Sequence, residues 1–151
     1  MPKKLDNALI GAAGVHHVAS QLSLRGLIAL PTIRNAPGVD LVAVTPTGSW
    51  HANVQVKTSQ YKVSFWPLGK KFREFHGSDN YYVFVRWLPS ESSFEAFLET
   101  ADRVIQDASR AIEASRKRGN KEWSPWWPLP KDAASVDRVR KQWQDFGVDS
   151  K

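Results

Sequence analysis

The chain has 151 residues, of which 42% are hydrophobic and 24% charged, and this composition suits one globular domain. It contains no cysteine, which excludes disulfides and zinc–thiolate sites and is compatible with a reducing cytoplasm. No apolar run approaches the roughly 18 residues that a membrane span needs, and we expect no signal peptide from the first residues. The formal charge of +6 favours an anionic partner such as nucleic acid, although a basic surface also serves solubility alone.

The first predicted elements are a helix and a strand. Apolar residues at three- and four-residue steps predict a helix over residues 5–26. Gly11 and Gly14 lie inside this helix, and their missing side chains indicate the close approach of a neighbouring element. Residues 27–33 predict a strand, which residues 35–38 follow with turn chemistry.

The rest of the chain predicts mainly strands and then two helices. Strand patterns occur at residues 39–45, 50–58, 61–66, 81–87 and 94–98, and a polar, basic stretch spans residues 69–80. Helices are predicted at residues 102–118 and 134–146, joined by a connector over residues 120–130 that is rich in Trp and Pro. This order predicts a single α+β domain, layered as α/β/α, with a central mixed sheet of four to five strands flanked by helices.

The strands at 39–45 and 50–58 carry a polar constellation. A four-residue loop joins them, and if Thr45 pairs with Trp50 the register makes Asp40 face Gln55. Gln55 and Lys57 are two residues apart, so they share one face of their strand. An acid, an amide oxygen and an amine are therefore expected to converge.

Phosphodiester hydrolysis uses this kind of set. A carboxylate can hold a divalent metal, which polarises the phosphate and lowers the pKa of a bound water. A lysine can orient or deprotonate that water, or stabilise the charge that develops in the transition state. Magnesium prefers oxygen ligands and keeps several of its waters, so few protein ligands suffice.

Three motifs carry a resemblance to a known superfamily. They are Gly11-Ala-Ala-Gly14 in the first helix, Asn35-Ala-Pro-Gly-Val-Asp-Leu41 before and in a strand, and Gln55-Val-Lys-Thr-Ser59 in the next strand. Together they resemble the PD-(D/E)XK nucleases, which include many restriction enzymes and Holliday-junction resolvases. The resemblance implies a restriction-endonuclease-like fold and a DNA endonuclease that depends on Mg²⁺ or Mn²⁺. It further implies that Asp40, Gln55 and Lys57 are catalytic and that Asp40, Gln55 and Val56 are the metal ligands.

The chain departs from this superfamily at two positions. Gln55 stands where the family usually has Glu or Asp, and a neutral amide oxygen should hold a metal ion less tightly. Val15 stands where related enzymes are expected to have a Glu, and His16 and His17 follow it as accessory candidates or as ordinary packing residues. The alternative function is therefore a catalytically inactive domain of the same fold that binds nucleic acid or another protein.

Basic residues near the constellation are candidate DNA contacts. A cluster in and beside the polar stretch is expected to grip phosphates, and it comprises Lys62, Lys70, Lys71 and Arg73. Trp123, Trp126 and Trp127 either stack on bases or pack in the core, with packing favoured. The expected partner is DNA and not a membrane, with a monomer and a homodimer both left open.

Overall fold

A mixed five-stranded sheet organises the computed structural model, which describes residues 3–33, 38–120 and 124–148. The predicted turn residues 35–37 and the connector residues 121–123, with Trp123, lie outside the described residues. The helices are α1 (Asn7–Leu24), α2 (Ala101–Lys117) and α3 (Ala133–Asp145). The strands are β1 (Ile28–Pro31), β2 (Leu41–Val44), β3 (His51–Gln60), β4 (Phe65–Pro67), β5 (Asn80–Leu88), β6 (Ser93–Thr100) and β7 (Trp126–Pro128).

The order of the strands in the large sheet is β1-β2-β3-β5-β6. Strands β3 and β5 pair in parallel, and the other neighbours pair antiparallel. The predicted hairpin register is confirmed, because the Thr45 N–H donates to the Trp50 carbonyl at 3.0 Å and Leu41 pairs with Val54. The predicted α+β class, with a five-stranded mixed sheet between helices, is also confirmed.

One side of the sheet, here called the aliphatic face, packs against α1. Val54 and Val56 of β3 are buried there with Val83 of β5, and Val18 and Leu22 of α1 cover them. These positions alternate along each strand, as expected when one face is buried beneath a helix.

Gly14 sets the distance between α1 and β3. A β-carbon at this position would lie 1.8 Å from Oγ1 of Thr58 and 2.8 Å from its Cβ, so only glycine fits. At Gly11, by contrast, a β-carbon would meet no atom within 4 Å. The close approach predicted from the two glycines is thus made by Gly14, which joins the first and third motifs in space.

The opposite side of the sheet, here called the aromatic face, packs against α2. Tyr82 and Phe84 of β5 are buried there. Trp127 stacks on Phe84 with ring centroids 4.1 Å apart and donates from Nε1 to Oδ2 of Asp107 at 3.1 Å. Trp127 is fully buried, so it is a core residue and not a platform for bases.

Two segments differ from the predicted elements. The strand predicted at 61–66 is shorter and lies at Phe65–Pro67, and the connector predicted at 120–130 contains a strand of its own. These two strands, β4 and β7, form a separate antiparallel ribbon in which Trp66 pairs with Trp127. The two segments pair because the indoles of Trp66 and Trp127 are both buried in the aromatic face, which brings their backbones side by side.

The helices begin at side-chain caps. The Asp6 carboxylate accepts from the Ala8 N–H at 2.8 Å, and the Asp132 carboxylate accepts from the Ser135 N–H at 2.8 Å. In the ranges that the structure describes, no helix is long and apolar enough to cross a membrane.

Candidate active site

Asp40 lies immediately before β2 and is held by β3. Its N–H donates to the Val54 carbonyl at 2.9 Å, and its Oδ2 accepts from the Val56 N–H at 2.7 Å. Leu41 is also paired with Val54, so two consecutive residues meet one residue of β3, as in a β-bulge. The predicted direct pairing of Asp40 with Gln55 is therefore offset, and the carboxylate reaches past Gln55 to the next amide.

The N–H and the carbonyl of Val56 are both directed toward the start of β2, where the Asp40 carboxylate lies. In an extended strand, the N–H and C=O of one residue are directed to the same neighbouring strand. Because the Val56 N–H bonds to Asp40, the Val56 carbonyl also faces the end of β2. The side chain of Val56 is buried and apolar, so any metal contact from this residue has to come from that carbonyl.

Gln55 and Lys57 project toward the aromatic face, because they alternate with the buried Val54 and Val56. Their partners in β5 are Tyr82 and Phe84, which lie on that face. Gln55 and Lys57 thus occupy the side of the sheet opposite α1.

The negative charge of Asp40 affects the pKa of two neighbouring side chains. Burial lowers the pKa of Lys57, and the negative charge of Asp40 opposes part of that shift. Burial raises the pKa of Tyr82 to about 12, and the Asp40 charge adds to the increase. Asp40 and Lys57, which the sequence analysis placed in one site, are therefore close enough for the charge of Asp40 to act on Lys57.

A cleft of about 370 Å³ opens beside Gln55 and is here called the Gln55 cleft. Its lining combines aromatic rings with a few polar groups, and the lining residues are Gly38, Gln55, Gly69, Lys71, Phe72, Glu74, Phe75 and Tyr82. Most of these residues come from the predicted polar, basic stretch, which lies beside Gln55 of β3 and contains a short 3₁₀ turn at Phe72–Glu74.

The two histidines are not brought into this cleft. His16 is exposed, and His17 stacks on Phe94 of β6 with ring centroids 4.6 Å apart. Burial and the nearby charge of Arg25 lower the pKa of His17. His17 lines a different cleft, which shares no lining residue with the Gln55 cleft. Val15, at the family's expected Glu position, packs against the aliphatic core.

The predicted DNA contacts are dispersed around the polar stretch. Lys62 is exposed in the turn between β3 and β4, and Lys70 and Lys71 are exposed before the 3₁₀ turn. The guanidinium of Arg73 lies 4.5 Å from the ring centroid of Phe72 and donates to Ser109 Oγ at 3.4 Å. Of the four basic residues, Lys71 lines the Gln55 cleft.

The donor set fits a hard divalent cation of modest affinity. Among the described residues, no group of three or more His, Cys, Asp or Glu side chains could hold a metal ion. The oxygens available are the Asp40 carboxylate, the Gln55 amide and the Val56 carbonyl, which are all hard donors but carry a single charge together. Magnesium and manganese prefer oxygens of this kind and keep several waters, and a cation held by this set would be bound weakly because the set carries little charge.

Sequence reasoning missed Glu74 and Tyr82 in the cleft. Tyr82 comes beside Gln55 through the parallel pairing of β3 with β5, and no local pattern reveals that pairing. Glu74 lies in irregular structure, where hydrophobic periodicity gives no register. The signal that could have identified Glu74 was its acidic side chain within an otherwise basic stretch.

No protein-family model matches the chain, and no curated protein matches it. Among solved structures, the bacterial homing endonuclease I-Ssp6803I is similar over 93% of this chain and 99% of that chain, with a TM-score of 0.48 and 13% sequence identity.

Proposed function

We propose that the chain is a divalent-metal-dependent DNA endonuclease of the PD-(D/E)XK type, with Asp40, Gln55 and Lys57 as its active site. The observation that carries this proposal is the placement of Asp40. Its carboxylate bonds to the Val56 N–H at 2.7 Å, inside the Gln55-Val56-Lys57 segment, and its charge acts on Lys57. Motifs that are separate in sequence thus form one polar site.

Asp40 is the anionic ligand in this proposal. The Val56 N–H fixes one carboxylate oxygen, and among the described residues no further donor reaches this carboxylate. The other oxygen is therefore available to a cation, with the Gln55 amide and the Val56 carbonyl as neutral ligands. A bound Mg²⁺ or Mn²⁺ would polarise the scissile phosphate and lower the pKa of a water molecule.

Lys57 has two roles open to it, and its partial burial favours both. Burial lowers its pKa, so a larger share of the amine is neutral near pH 7 than in an exposed lysine, and a neutral amine can accept a proton from water. In its protonated form the ammonium stabilises charge that develops on the phosphate, and it does so more strongly where water is excluded.

DNA is the proposed partner because the chain carries an excess of six positive charges and presents Lys71 at the cleft. Contacts to phosphates supply affinity without reading sequence. Binding should therefore weaken with salt, with a slope of roughly −0.9 per neutralised phosphate for duplex DNA.

Nicking of supercoiled plasmid in Mg²⁺ and in Mn²⁺ tests the proposal. Lys57→Met should reduce the nicking rate by about 10²–10³-fold, the usual cost of removing one transition-state donor. Lys131→Met is the matched control, because it removes the same charge from an exposed position that does not line the Gln55 cleft. Plasmid binding should be nearly unchanged in both variants, and nicking by Lys57→Met at the wild-type rate would contradict the assignment.

A second candidate is a domain of this fold that binds DNA without cleaving it. The observation that favours it is the single carboxylate among the three proposed ligands, since Gln55 carries no charge. This candidate predicts salt-sensitive binding by a wild-type protein that is inert in both metals. The same plasmid assay therefore separates the two candidates.

A further inference from the structure

We propose that the outer face of the β4–β7 ribbon binds a single strand of DNA, whose bases stack on the exposed rings of that face. This inference rests on the proposed function and adds its substrate class, which is DNA with an unpaired segment. The outer face is here called the ribbon face and comprises Phe65, Pro67, Trp126 and Pro128.

The two faces of the ribbon differ in burial. Residues directly opposite each other in an antiparallel pair lie on the same face, so Phe65 lies beside Pro128 and Pro67 beside Trp126. The central pair of tryptophans alternates with them and is buried in the aromatic face of the large sheet. On the ribbon face, by contrast, Phe65 is 52% exposed. Pro67 is also exposed, and Trp126 and Pro128 are half-buried.

The two rings of the ribbon face have no aromatic partner in the protein. Trp66 and Trp127, on the buried face, both contact the ring of Phe84. Within the ranges that the structure describes, neither Phe65 nor Trp126 contacts another aromatic ring. An exposed ring of this kind can stack on any unpaired base, because every base has an aromatic face.

The indole N–H groups of the ribbon show the same contrast. Nε1 of Trp66 donates to the Val85 carbonyl at 3.0 Å, and Nε1 of Trp127 donates to Oδ2 of Asp107 at 3.1 Å. In the part of the chain that the structure describes, Nε1 of Trp126 has no hydrogen-bond partner. Because a buried indole N–H usually finds a partner, this free donor indicates a group that is open to an outside acceptor, such as a phosphate or base oxygen.

The charge around the ribbon face favours a nucleic acid as its occupant. Residues 61–71 and 124–130, which contain the two strands, include no Asp or Glu. Lys62 lies before β4, and Lys70 and Lys71 lie after it, and all three are exposed. Exposed rings between cations are the combination with which proteins hold single strands, since the rings stack on bases and the cations meet phosphates.

The ribbon face adjoins the proposed active site. Gly69 and Lys71 follow β4 almost directly and line the Gln55 cleft. A strand that lies on the ribbon face can therefore continue toward Gln55 and the neighbouring Asp40. In a perfect duplex the faces of each base are already covered by its neighbours, and freeing a base costs least where it is already unpaired. The ribbon face should therefore bind single strands and not perfect duplex.

Phe65→Ala is the variant that removes a stacking ring from an exposed position. Phe65→Trp keeps an aromatic ring there, and Phe65→Leu keeps apolar volume without an aromatic face. Leu9→Ala is the matched control, because Leu9 is an apolar residue that is 63% exposed on α1, which covers the aliphatic face. Thermal melting confirms that each variant is folded, and Phe65→Leu replaces Phe65→Ala if the alanine lowers the melting temperature.

The measurement is fluorescence anisotropy, in EDTA, with a labelled single strand of thymidines and a labelled perfect duplex of the same length. Phe65→Ala and Phe65→Leu should weaken binding of the single strand by on the order of tenfold and leave binding of the duplex unchanged. Phe65→Trp and Leu9→Ala should bind both as the wild type does.

A salt series separates the rings from the cations. Phe65→Ala should leave the salt dependence of single-strand binding unchanged, because it removes a neutral contact. Lys62→Met should reduce the slope by roughly 0.7, the value for one phosphate contact on a single strand.

The outcomes also separate this inference from the proposed function. A wild type that does not bind the single strand at low salt overturns the inference, even where plasmid nicking upholds the endonuclease. Undiminished binding by Phe65→Ala and Phe65→Leu, or an equal loss in Leu9→Ala, overturns it as well. A loss confined to these two Phe65 variants, in a protein inert in both metals, supports the ribbon face and removes the proposed catalysis.

Discussion

The two faces of the sheet use the same strands for different purposes. On β3, Val54 and Val56 fill the aliphatic face under α1, while Gln55 and Lys57 alternate with them on the other side. The aromatic face is filled by rings over much of its area, but beside Gln55 it opens into a cleft. Alternate residues of β3 therefore pack in the core on one face and form the polar site on the opposite face.

Both faces carry an energetic cost of burial, and in the candidate site that cost falls on Lys57. Placing an ammonium such as Lys57 in a partly buried position disfavours its charged form, as its lowered pKa indicates. On the aliphatic side, burial likewise lowers the pKa of His17 and of Arg25, whose guanidinium lies 4.2 Å from the ring centroid of Trp143. Burial of a charge therefore does not by itself distinguish the two faces, and the candidate site is distinguished by the charge of Asp40 acting on Lys57.

The largest expected effect concerns the packing of the aromatic face. Trp127→Ala should lower the free energy of unfolding by about 3–5 kcal/mol, because it removes a fully buried indole that stacks on Phe84. Urea unfolding measures the change. Phe65→Ala, at a position of the same ribbon that is 52% exposed, is the control and should cost much less. Similar losses in both variants would mean that β4 and β7 do not form part of the core.

A smaller effect is expected at the contact between α1 and β3 on the aliphatic face. Gly14→Ala places a methyl group against Thr58 and should lower the free energy of unfolding by about 1–3 kcal/mol. Gly11→Ala meets no atom and should raise it, by up to about 1 kcal/mol, through helix propensity. Thermal and urea unfolding measure both changes. Equal changes in the free energy of unfolding of Gly14→Ala and Gly11→Ala would show that α1 does not pack closely on β3 at Gly14.

The elements and the hairpin register were predictable because their signals are local. A four-residue loop and the alternation around it place Thr45 opposite Trp50, and the structure has this pairing. The offset at Asp40 was not predictable, because a bulge depends on how the preceding turn enters the strand. The sequence therefore predicted that Asp40 lies directly opposite Gln55, whereas in the structure its carboxylate is bonded to the N–H of the next residue, Val56.

The features that the sequence did not reveal depend on contacts between distant segments. The pairing of β4 with β7 joins Trp66 to Trp127. The sequence predicted a strand at 61–66 but none at Trp126–Pro128, and no local pattern predicted that the two segments pair. Tyr82 reaches the site through the parallel pairing of β5 with β3, and Glu74 reaches it through an irregular segment. Pairings of this kind are set by packing of the whole domain and not by local periodicity.

The partial burial of Lys57 predicts that the difference in stability between the wild type and Lys57→Met depends on pH. Its pKa is lowered in the folded chain, so between that pKa and about 10.4, the usual lysine value, the unfolded chain binds more protons. The contribution of Lys57 to stability therefore rises with pH across this window. Lys57→Met should be more stable than the wild type near pH 7, and the gap should narrow as the pH increases.

Urea unfolding from pH 7 to 10.5 measures this gap, and Lys70→Met, at an exposed site, is the control. The control should follow the wild type at each pH. A gap that stays constant or widens with pH would show that burial does not disfavour the charged form of Lys57.

Calorimetric titration with Mn²⁺ tests most directly whether Asp40 and Gln55 share a metal site. Gln55→Glu adds an anionic oxygen beside Asp40 and should tighten binding by on the order of tenfold, since affinity for a hard dication follows ligand charge. Asp40→Asn should abolish measurable binding. Unchanged or weaker binding by a folded Gln55→Glu variant, or wild-type binding by Asp40→Asn, would contradict the proposed site.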